Sequence, residues 1–292
     1  MQETDGLLVI GARSLVGRRL RETVSGPEGW AGEVRFTSRQ QLANQSLILN
    51  FDAPETFQPG LEFTTVILCT PIWLATERLI NHLVALGMRR LVAFSSTSLF
   101  TKDMSDAAEE REVAGHLLQG EKSTIELCER HGVAWTILRP TLIYDEGLDE
   151  NVSQIASMIR KLGFFPICAP ANGLRQPVHA RDLARAALQA ARSPAADNKA
   201  YNVPGGESLT YRTMVERIYQ AMGRKPSFLA MPEWLWRLGF AVLDAVQPKK
   251  RLKRNINMVL RMNRDLWFDA APAHKDFGYA PGPFKPDFSN QL

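Results

Sequence analysis

The sequence predicts an α/β fold, a doubly wound parallel sheet with a smaller C-terminal lobe. Three observations predict it. Short apolar runs, beginning with Leu7-Leu8-Val9-Ile10, read as strands buried on both faces. Helical stretches alternate with those runs, the pattern of parallel strands joined by crossover helices. The first run ends at Gly11, and Gly17 follows at the start of an apolar periodic segment through Leu20 and Val24. One glycine lets the chain turn sharply out of a strand, and the other lets the next helix pack closely on it. Backbone N–H groups at such a helix start face whatever lies above, and the helix dipole favours an anion there.

Of the 292 residues, 45% are hydrophobic and 23% charged, the balance of a globular protein with one large domain or two small ones. The net charge of +4 favours anionic ligands slightly and gives no ground for nucleic-acid binding. Aromatic and basic residues are not interleaved in the way that grips a single strand. Cys69, Cys128 and Cys168 are odd in number, widely spaced and without a CxxC pair. They are expected to be buried free thiols in a reducing cytoplasm, and no metal centre is expected. The start, Met1 to Gly6, is polar and acidic, unlike a signal peptide, and no apolar run reaches membrane-spanning length. A cytoplasmic location is the expectation.

Val34–Thr37 is the second expected strand. Its end reads Thr37-Ser38-Arg39, without the carboxylate that would meet a ribose 2′-OH. Arg39 and Arg13 would flank a 2′-phosphate, which favours NADP(H) over NAD(H); the alternative is two solvated surface arginines. Ser46–Asp52 is the third expected strand, with Asp52 either at an adenine edge or in a plain turn. Thr65–Pro71 is the fourth, closing with Cys69-Thr70-Pro71, and a helix from Leu74 to Leu86 follows, stopped by Gly87. Arg90–Ser96 is the fifth and opens into Thr97-Ser98-Leu99-Phe100. Ligands of doubly wound sheets lie at the strands' carboxyl ends, so Gly11–Gly17, Thr70 and Ser95–Ser98 are expected to converge. Asp106–Arg130 reads as a long helix weakened by Gly115 and Gly120, and Ala134–Pro140 as a sixth strand.

In this order, the glycine turn, Ser95-Ser96, a helix with Lys122, Thr136-Ile137-Leu138-Arg139-Pro140 and Ile143-Tyr144 resemble the extended short-chain dehydrogenase/reductase superfamily. More narrowly, they resemble its NAD-dependent epimerase/dehydratase family, which acts on nucleotide sugars. Arg175-Gln176-Pro177-Val178-His179-Ala180-Arg181-Asp182 resembles that group's Arg-x-x-x-His-x-x-Asp signature, and Ala200–Gly206 its late strand and turn. The similarity covers roughly residues 7–225. It implies a Rossmann-type NAD(P)-binding domain over 1–163 and a substrate lobe over 164–292, with 175–203 returning to the first domain. A homodimer is compatible with it. By position it places Gly11, Ser14 and Gly17 at the pyrophosphate. Arg13, Leu15, Ser38, Arg39, Asp52, Cys69, Thr70 and Pro71 complete the cofactor set. Ser96 or Thr97 would hold the hydroxyl near the reacting carbon, Lys122 the nicotinamide ribose, and Tyr144 the nicotinamide end. Asn151 and Arg175 would hold a nucleotide diphosphate, a task suited to a guanidinium. Asn151 reads equally well as a helix N-cap, and His179 and Asp182 are favoured as structural. Ser14 replaces the middle glycine of the fingerprint, so its Cβ holds a phosphate further off while its hydroxyl offers a donor.

One departure bears on mechanism. The superfamily's acid/base tyrosine stands four residues before its lysine, one turn away on the same face. Here Leu118 stands there, and none of Tyr144, Tyr201, Tyr211, Tyr219 and Tyr279 falls between the fifth strand and Lys122. Leucine exchanges no proton, and a positioned acid/base is worth roughly 10²–10⁴-fold in rate. Phosphate and ribose binding do not need that hydroxyl. Three readings follow. Tyr144, or Ser96 through water, carries the proton, His116 being discounted because it lies on another face of the helix. Or the reaction needs no such proton, as in reduction of a double bond or imine. Or the chain binds NADP(H) without turnover, as a scaffold or sensor. Thr97 and Ser98 lack the Asp-Glu pair of sugar 4,6-dehydratases, which ranks dehydration low.

In the C-terminal part, a helix Tyr211–Met222 is expected after Thr210, ended by Gly223. Residues 231–246 are strongly apolar and lead into Lys249-Lys250-Arg251-Leu252-Lys253-Arg254. The favoured reading is a lobe helix over the substrate site followed by a solvated charge run. The sharper one is weak peripheral contact of 231–254 with an anionic membrane. The tail, with Pro272, Pro281, Pro283 and Pro286, reads as irregular and surface-hugging.

Overall fold

The computed structural model describes residues 6–27, 29–40, 47–60, 62–102, 105, 107–246 and 256–289. Its first strands are β1 (Leu7–Ile10), β2 (Val34–Ser38), β3 (Leu47–Ile48), β4 (Thr65–Leu68), β5 (Arg90–Phe94) and β6 (Ala134–Pro140). Later come β7 (Ile143–Tyr144), β8 (Phe165–Cys168), β9 (Leu174–Arg175), β10 (Val178–His179), β11 (Lys199–Val203), β12 (Leu209–Thr210) and β13 (Phe228–Met231). The main sheet is seven-stranded and parallel, in the order β11-β6-β5-β4-β1-β2-β3. The expected doubly wound α/β architecture is borne out. Strand order reverses between β1 and β4, and a crevice opens there at the carboxyl ends.

β1 does not alternate because both its faces are covered: Leu7, Leu8, Val9 and Ile10 are all 0% exposed. On one face lie α1 (Leu15–Thr23) and, much later in the chain, α6 (Ala180–Arg192), whose small Ala184, Ala187 and Ala191 permit close packing. On the other lie α2 (Glu77–Ala85) and, beyond the four-residue α3 (Ser98–Thr101), the long α4 (Ala108–Arg130). α4 is continuous through Gly115 and Gly120. Its stripe Ala114, Leu117, Glu121, Thr124 and Cys128 is buried, at the 3–4-residue spacing of one helix face.

The lobe is built from β7 paired with β10, β8 with β13, and β9 with β12, together with α5 (Val152–Leu162) and α7 (Tyr211–Ala221). Ile159, Ile167, Met214 and Ile218 form its own core, each 0% exposed. α8 (Glu233–Val246), α9 (Ile256–Leu260) and α10 (Ala271–Phe277) follow. Among the described residues no helix is long and apolar enough to cross a membrane.

Three expected elements differ. The third strand shrinks to Leu47–Ile48, since it pairs on one side only and Asn50–Ala53 turn away through an Asp52 N–H to Asn50 Oδ1 bond of 3.0 Å. α2 begins at Glu77 because Ile72–Leu74 form a 3-10 turn and the Thr76 hydroxyl caps the helix at Leu79 N–H. The tail is neither irregular throughout nor confined to the surface. α10 packs Ala273 and Phe277 against the sheet unit, while Phe284 and Phe288, each 1% exposed, enter the lobe core.

Candidate functional site

The crevice begins at the glycine turn. Gly11 has φ +100°, and its N–H donates to Thr37 O at 3.2 Å. A side chain on Gly17 would strike the Gly11 carbonyl, with its carbon at 3.0 Å and its oxygen closer still. Only glycine lets α1 start this near β1. Ser14 is the helix N-cap: its Oγ accepts from Gly17 N–H at 2.9 Å and donates to Gly11 O at 2.9 Å. The hydroxyl expected to face a phosphate therefore closes the turn instead.

Around this turn lies a cleft of about 380 Å³, lined among others by Ser14, Leu15, Cys69, Thr70, Pro71, Ser95, Ser96, Val113 and Leu117. The glycine turn, Thr70 and Ser95–Ser98 converge. Two hydroxyls within it, Thr70 Oγ1 and Ser95 Oγ, are buried without a hydrogen-bond partner. Buried donors left so are expensive unless something polar meets them. Orphaned hydroxyls, a helix start and a glycine cradle are what a dinucleotide's phosphates and ribose require, so the residues present fit such a group. Cys69 is buried and its thiol is pushed up by that burial, so it stays protonated and inert.

Ser14, Leu15, Ser96, Ser98 and Ile143 also border a larger cavity of about 1090 Å³, which reaches between the sheet unit and the lobe. Its lining carries Arg13, Arg18, Lys102, Arg175 and Arg261 against Glu110, Asp149 and Glu150. Glu110 is tied to Arg261 at 2.6 Å and accepts from Ser105 Oγ at 2.6 Å. Asp149 receives Asn151 N–H at 2.7 Å and Ser153 Oγ at 2.6 Å. With two of the three carboxylates engaged and five cations on the lining, positive charge predominates in the cavity. Burial lowers the pKa of Lys102, partly opposed by Glu110. Arg175 is 4% exposed and its pKa is lowered to about 10, chiefly by burial. It donates to Leu174 O at 2.7 Å and Arg264 O at 2.8 Å, and also to Arg261 O, with its guanidinium over the Tyr211 ring.

Asn151 stands at the N-cap position of α5, but its side chain makes no capping bond and Asp149 takes that task. The amide borders the larger cavity instead. Arg13 lies beside the end of β2, its Nη1 donating to Gln40 Oε1 at 3.0 Å. Arg39 lies nearby with its guanidinium over Phe51, and the Ser38 hydroxyl donates to Gln40 O. Asp52 is exposed in its turn, its carbonyl accepting from Arg78 at 2.9 Å, and it lines neither cavity. Ser96 borders both cavities and its Oγ accepts from Ser98 N–H at 3.1 Å. Thr97 is bound into the sheet, its Oγ1 donating to Pro140 O at 3.1 Å.

Two expected catalytic positions are corrected by the geometry. Lys122 points to solvent, its side chain 68% exposed and 3.9 Å from Glu126, and Leu118 beside it is 61% exposed. The α4 side chains that line the narrower cleft are Val113 and Leu117, also four residues apart. The register was legible: Leu118 and Lys122 share a face with Gly115, Gln119 and Glu126, the polar side of the stripe. Tyr144 is 3% exposed in the lobe core, edge-on to His179 and Phe284 at 5.0 Å, and lines neither cavity. Burial raises its pKa, and its hydroxyl is hydrogen-bonded to the Lys285 backbone. His116 stacks at 5.7 Å on Trp73 and lines neither cavity. His179 caps α6, its Nδ1 accepting from Arg181 N–H at 2.9 Å, while Asp182 accepts from Gly282 N–H at 3.1 Å.

Asp145, Glu146 and His179 bring one ligand atom each within 4.8 Å of one another. Asp145 is fully buried and held by Arg19 through bonds of 2.9 and 2.5 Å, and Glu146 sits 3.2 Å from His179. A guanidinium thus takes the place that a cation would need. Sequence reasoning missed Arg18, Lys102 and the Glu110–Arg261 pair. Only Arg18, on the first turn after the glycines, carried a local signal.

Geometry defines the class first: a Rossmann-type α/β protein with a ligand crevice at its topological switch point. Residues 72–204 then match the model of the NAD dependent epimerase/dehydratase family, which bears out the resemblance read from the sequence. Solved structures share the fold. An epimerase of Methanothermobacter thermautotrophicus aligns with TM-score 0.70 and 14% identity over 95% of this chain and 87% of its own. UDP-glucose 4-epimerase of Thermotoga maritima, with UDP-glucose, gives TM-score 0.66 and 13% identity over 94% and 93%. That of Thermus thermophilus, with NAD, gives 0.59 and 18% over 78% and 86%. A curated relative from Sinorhizobium fredii, named only as uncharacterized protein y4nG, is 24% identical over 215 residues, 70% of this chain. The chain spans about half, 52%, of that relative's length.

Proposed function

We propose that this chain binds NADP(H) in the narrower cleft and acts, as an epimerase or reductase, on an anionic nucleotide-sugar-like substrate in the larger cavity. The observation that carries the reading is continuity. The glycine turn with its orphaned Thr70 and Ser95 hydroxyls opens directly into a cavity holding the buried Arg175 cation. The family match and the ligands named with the Thermotoga and Thermus structures support it. Arg13 and Arg39 at the end of β2, where no carboxylate stands, support a 2′-phosphate. When bound, the cofactor supplies hydride transfer at its nicotinamide ring. The chain's own residues orient and shield: Val113, Leu117 and Pro140 exclude water from the cleft, and Ser96 offers a hydroxyl at the junction of the two cavities. Lys102, whose burial weakens its hold on a proton, is the larger cavity's proton carrier.

Titrating the protein with NADPH and NADH, followed by nicotinamide fluorescence, tests the reading. NADPH is expected to bind in the micromolar range or tighter and NADH more weakly. Arg39→Ala weakens NADPH by about tenfold or more, the value of one charge-assisted hydrogen bond, and leaves NADH unchanged. Tight NADH with weak NADPH overturns the phosphate assignment, and binding of neither at tens of micromolar overturns the cofactor.

A second reading, a dinucleotide-binding scaffold or sensor without turnover, rests on the same α4 face. Val113 and Leu117 are the α4 side chains that line the narrower cleft, and neither exchanges a proton. Tight NADPH binding without oxidation across a nucleotide-sugar panel favours it.

A further inference from the structure

The wall of the larger cavity changes character along α5. The helix contributes Asn151, Gln154, Ile155 and Met158 to the lining, four residues at the spacing of one face. That stripe passes from amides to apolar side chains over about 10 Å, at roughly 1.5 Å per residue. Phe165 follows closely after the end of α5 and opens β8, so it stands at the apolar end. β8 packs on α5 and on α9, and α9 on α8, and from these come Met258, Trp236 and Phe240. Of Phe165, Trp236, Phe240 and Met258 only Trp236 carries an N–H, and its Nε1 is already bound to Ile167 O at 3.3 Å. The basic run 249–254 after α8 lies outside the described residues.

Arg175 marks the other requirement of the cavity. Its guanidinium is buried and donates to three backbone carbonyls, all neutral, while the exposed Asp265 acts on it only through space. A buried cation held in this way favours an anion beside it. Tyr211 joins the two regions: the Arg175 guanidinium lies 5.3 Å from its ring centroid, and the Phe165 ring lies 6.5 Å from it. Against the apolar end, each hydroxyl of a sugar would lose water without gaining a partner. Aliphatic carbon loses nothing there. Four of the chain's nine methionines, Met158, Met214, Met258 and Met262, line this cavity. Their unbranched thioethers adapt to what they meet, which suits a flexible chain better than a rigid ring.

We infer that the larger cavity takes an amphipathic ligand, with its anionic group at Arg175 and an aliphatic chain along Met158, Phe165, Phe240 and Met258. This rests on the reading of that cavity as the site of an anionic substrate, and it narrows the substrate to one that carries an apolar substituent. It does not depend on which dinucleotide occupies the narrower cleft.

Isothermal titration calorimetry of the full chain tests it, with n-butyl phosphate, n-octyl phosphate, n-octyl glucoside and UDP-glucose as probes, each below any micellar concentration. Octyl phosphate is expected to bind on the order of a hundredfold tighter than butyl phosphate, about threefold for each added methylene. Octyl glucoside, with the same chain and no charge, should bind about tenfold more weakly than octyl phosphate. Met158→Gln and Phe240→Gln should each cut the octyl-to-butyl ratio by about fivefold or more, with far-UV circular dichroism as in the parent. UDP-glucose binding together with equal octyl and butyl phosphate affinities overturns the inference and leaves the anionic site standing. An octyl preference unchanged in both variants also overturns it, because the chain then lies elsewhere, as does octyl glucoside binding as tightly as octyl phosphate. Binding by none of the four probes overturns the anionic site itself, and the inference with it.

Discussion

Gly115 and Gly120 lie on one helix, five residues apart, and alanine should act on them with opposite sign. Both sit in the interior of α4, where glycine costs about 0.5–1 kcal/mol relative to alanine. Gly115 is exposed, and a Cβ there meets nothing within 4 Å. Gly115→Ala is expected to stabilise by that amount. A Cβ on Gly120 would sit 2.9 Å from Ile72 Cγ2, 2.9 Å from Trp73 N and 3.1 Å from Trp73 Cα. Two of these atoms are backbone, so the Pro71–Trp73 turn, which lines the narrower cleft, must move. Overpacking of that kind costs about 1–3 kcal/mol. The helix-propensity gain is common to both variants, so their difference isolates the steric cost of about 1–3 kcal/mol, with Gly120→Ala the less stable. Urea unfolding followed by far-UV circular dichroism measures it, and each kcal/mol should move Tm by roughly 2–4 °C. The same displacement of Pro71–Trp73 should weaken NADPH binding in Gly120→Ala alone. Equal stabilisation by the two variants would refute the close approach of the Trp73 turn to α4.

Three further outcomes follow from the geometry. Lys122→Met should leave NADPH affinity unchanged and stability within about 0.5 kcal/mol, as for a surface residue; a loss of affinity in the fluorescence titration would return Lys122 to the cleft. Asp145→Asn takes a fully buried carboxylate from the Arg19 guanidinium, which is one-fifth exposed and keeps Glu22, and should cost about 1.5–3 kcal/mol in urea unfolding, the range for a lost hydrogen bond to a charged group. Glu146 is subject to burial, which would raise its pKa, but hydrogen bonds from His179 and backbone N–H groups prevail and hold it below the ordinary 4.5. A carboxylate whose pKa is lowered on folding stabilises above its unfolded value, and that contribution is lost as pH falls through the lower folded one. Glu146→Gln should therefore flatten the acid limb of stability between neutral pH and below pH 4.5, as measured by urea midpoints; an unchanged acid limb would remove Glu146 from it.

The sheet was legible because its strands are covered on both faces, and runs such as Leu7–Ile10 or Val66–Leu68 leave no other way to bury themselves. The glycine turn was equally legible, since only backbone sterics decide Gly11 and Gly17. The role of Ser14 was not: whether a hydroxyl caps a helix or meets a ligand depends on where Gly11 O points. The α4 register was present in the sequence as a stripe of buried residues, yet a four-residue spacing between Leu118 and Lys122 drew attention to the wrong face. Tyr144 and Arg175 illustrate the limit differently. Both are buried by chain that arrives more than eighty residues later, around Phe284 and Arg261–Arg264, and no local pattern announces such partners. The pairing of Glu110 with Arg261 belongs to the same class.

Residues 277–288 also set a schedule. Phe277 and Tyr279 complete the packing on one face of the sheet, the Tyr279 hydroxyl donating to Pro204 O at 2.6 Å. A few residues on, Phe284 and Phe288 fill the lobe, and Asp287 N–H reaches Glu146 at 3.1 Å. On a ribosome adding about 5–20 residues per second, some 150 residues separate the completion of β6 from these contacts, a delay of roughly 7–30 s. During translation the first six strands exist with one edge unpaired and two cores unfinished. Nascent chains of this protein should therefore engage chaperones until residues 277–288 have emerged, and its folding should be governed by arrival of that segment rather than by formation of the glycine turn.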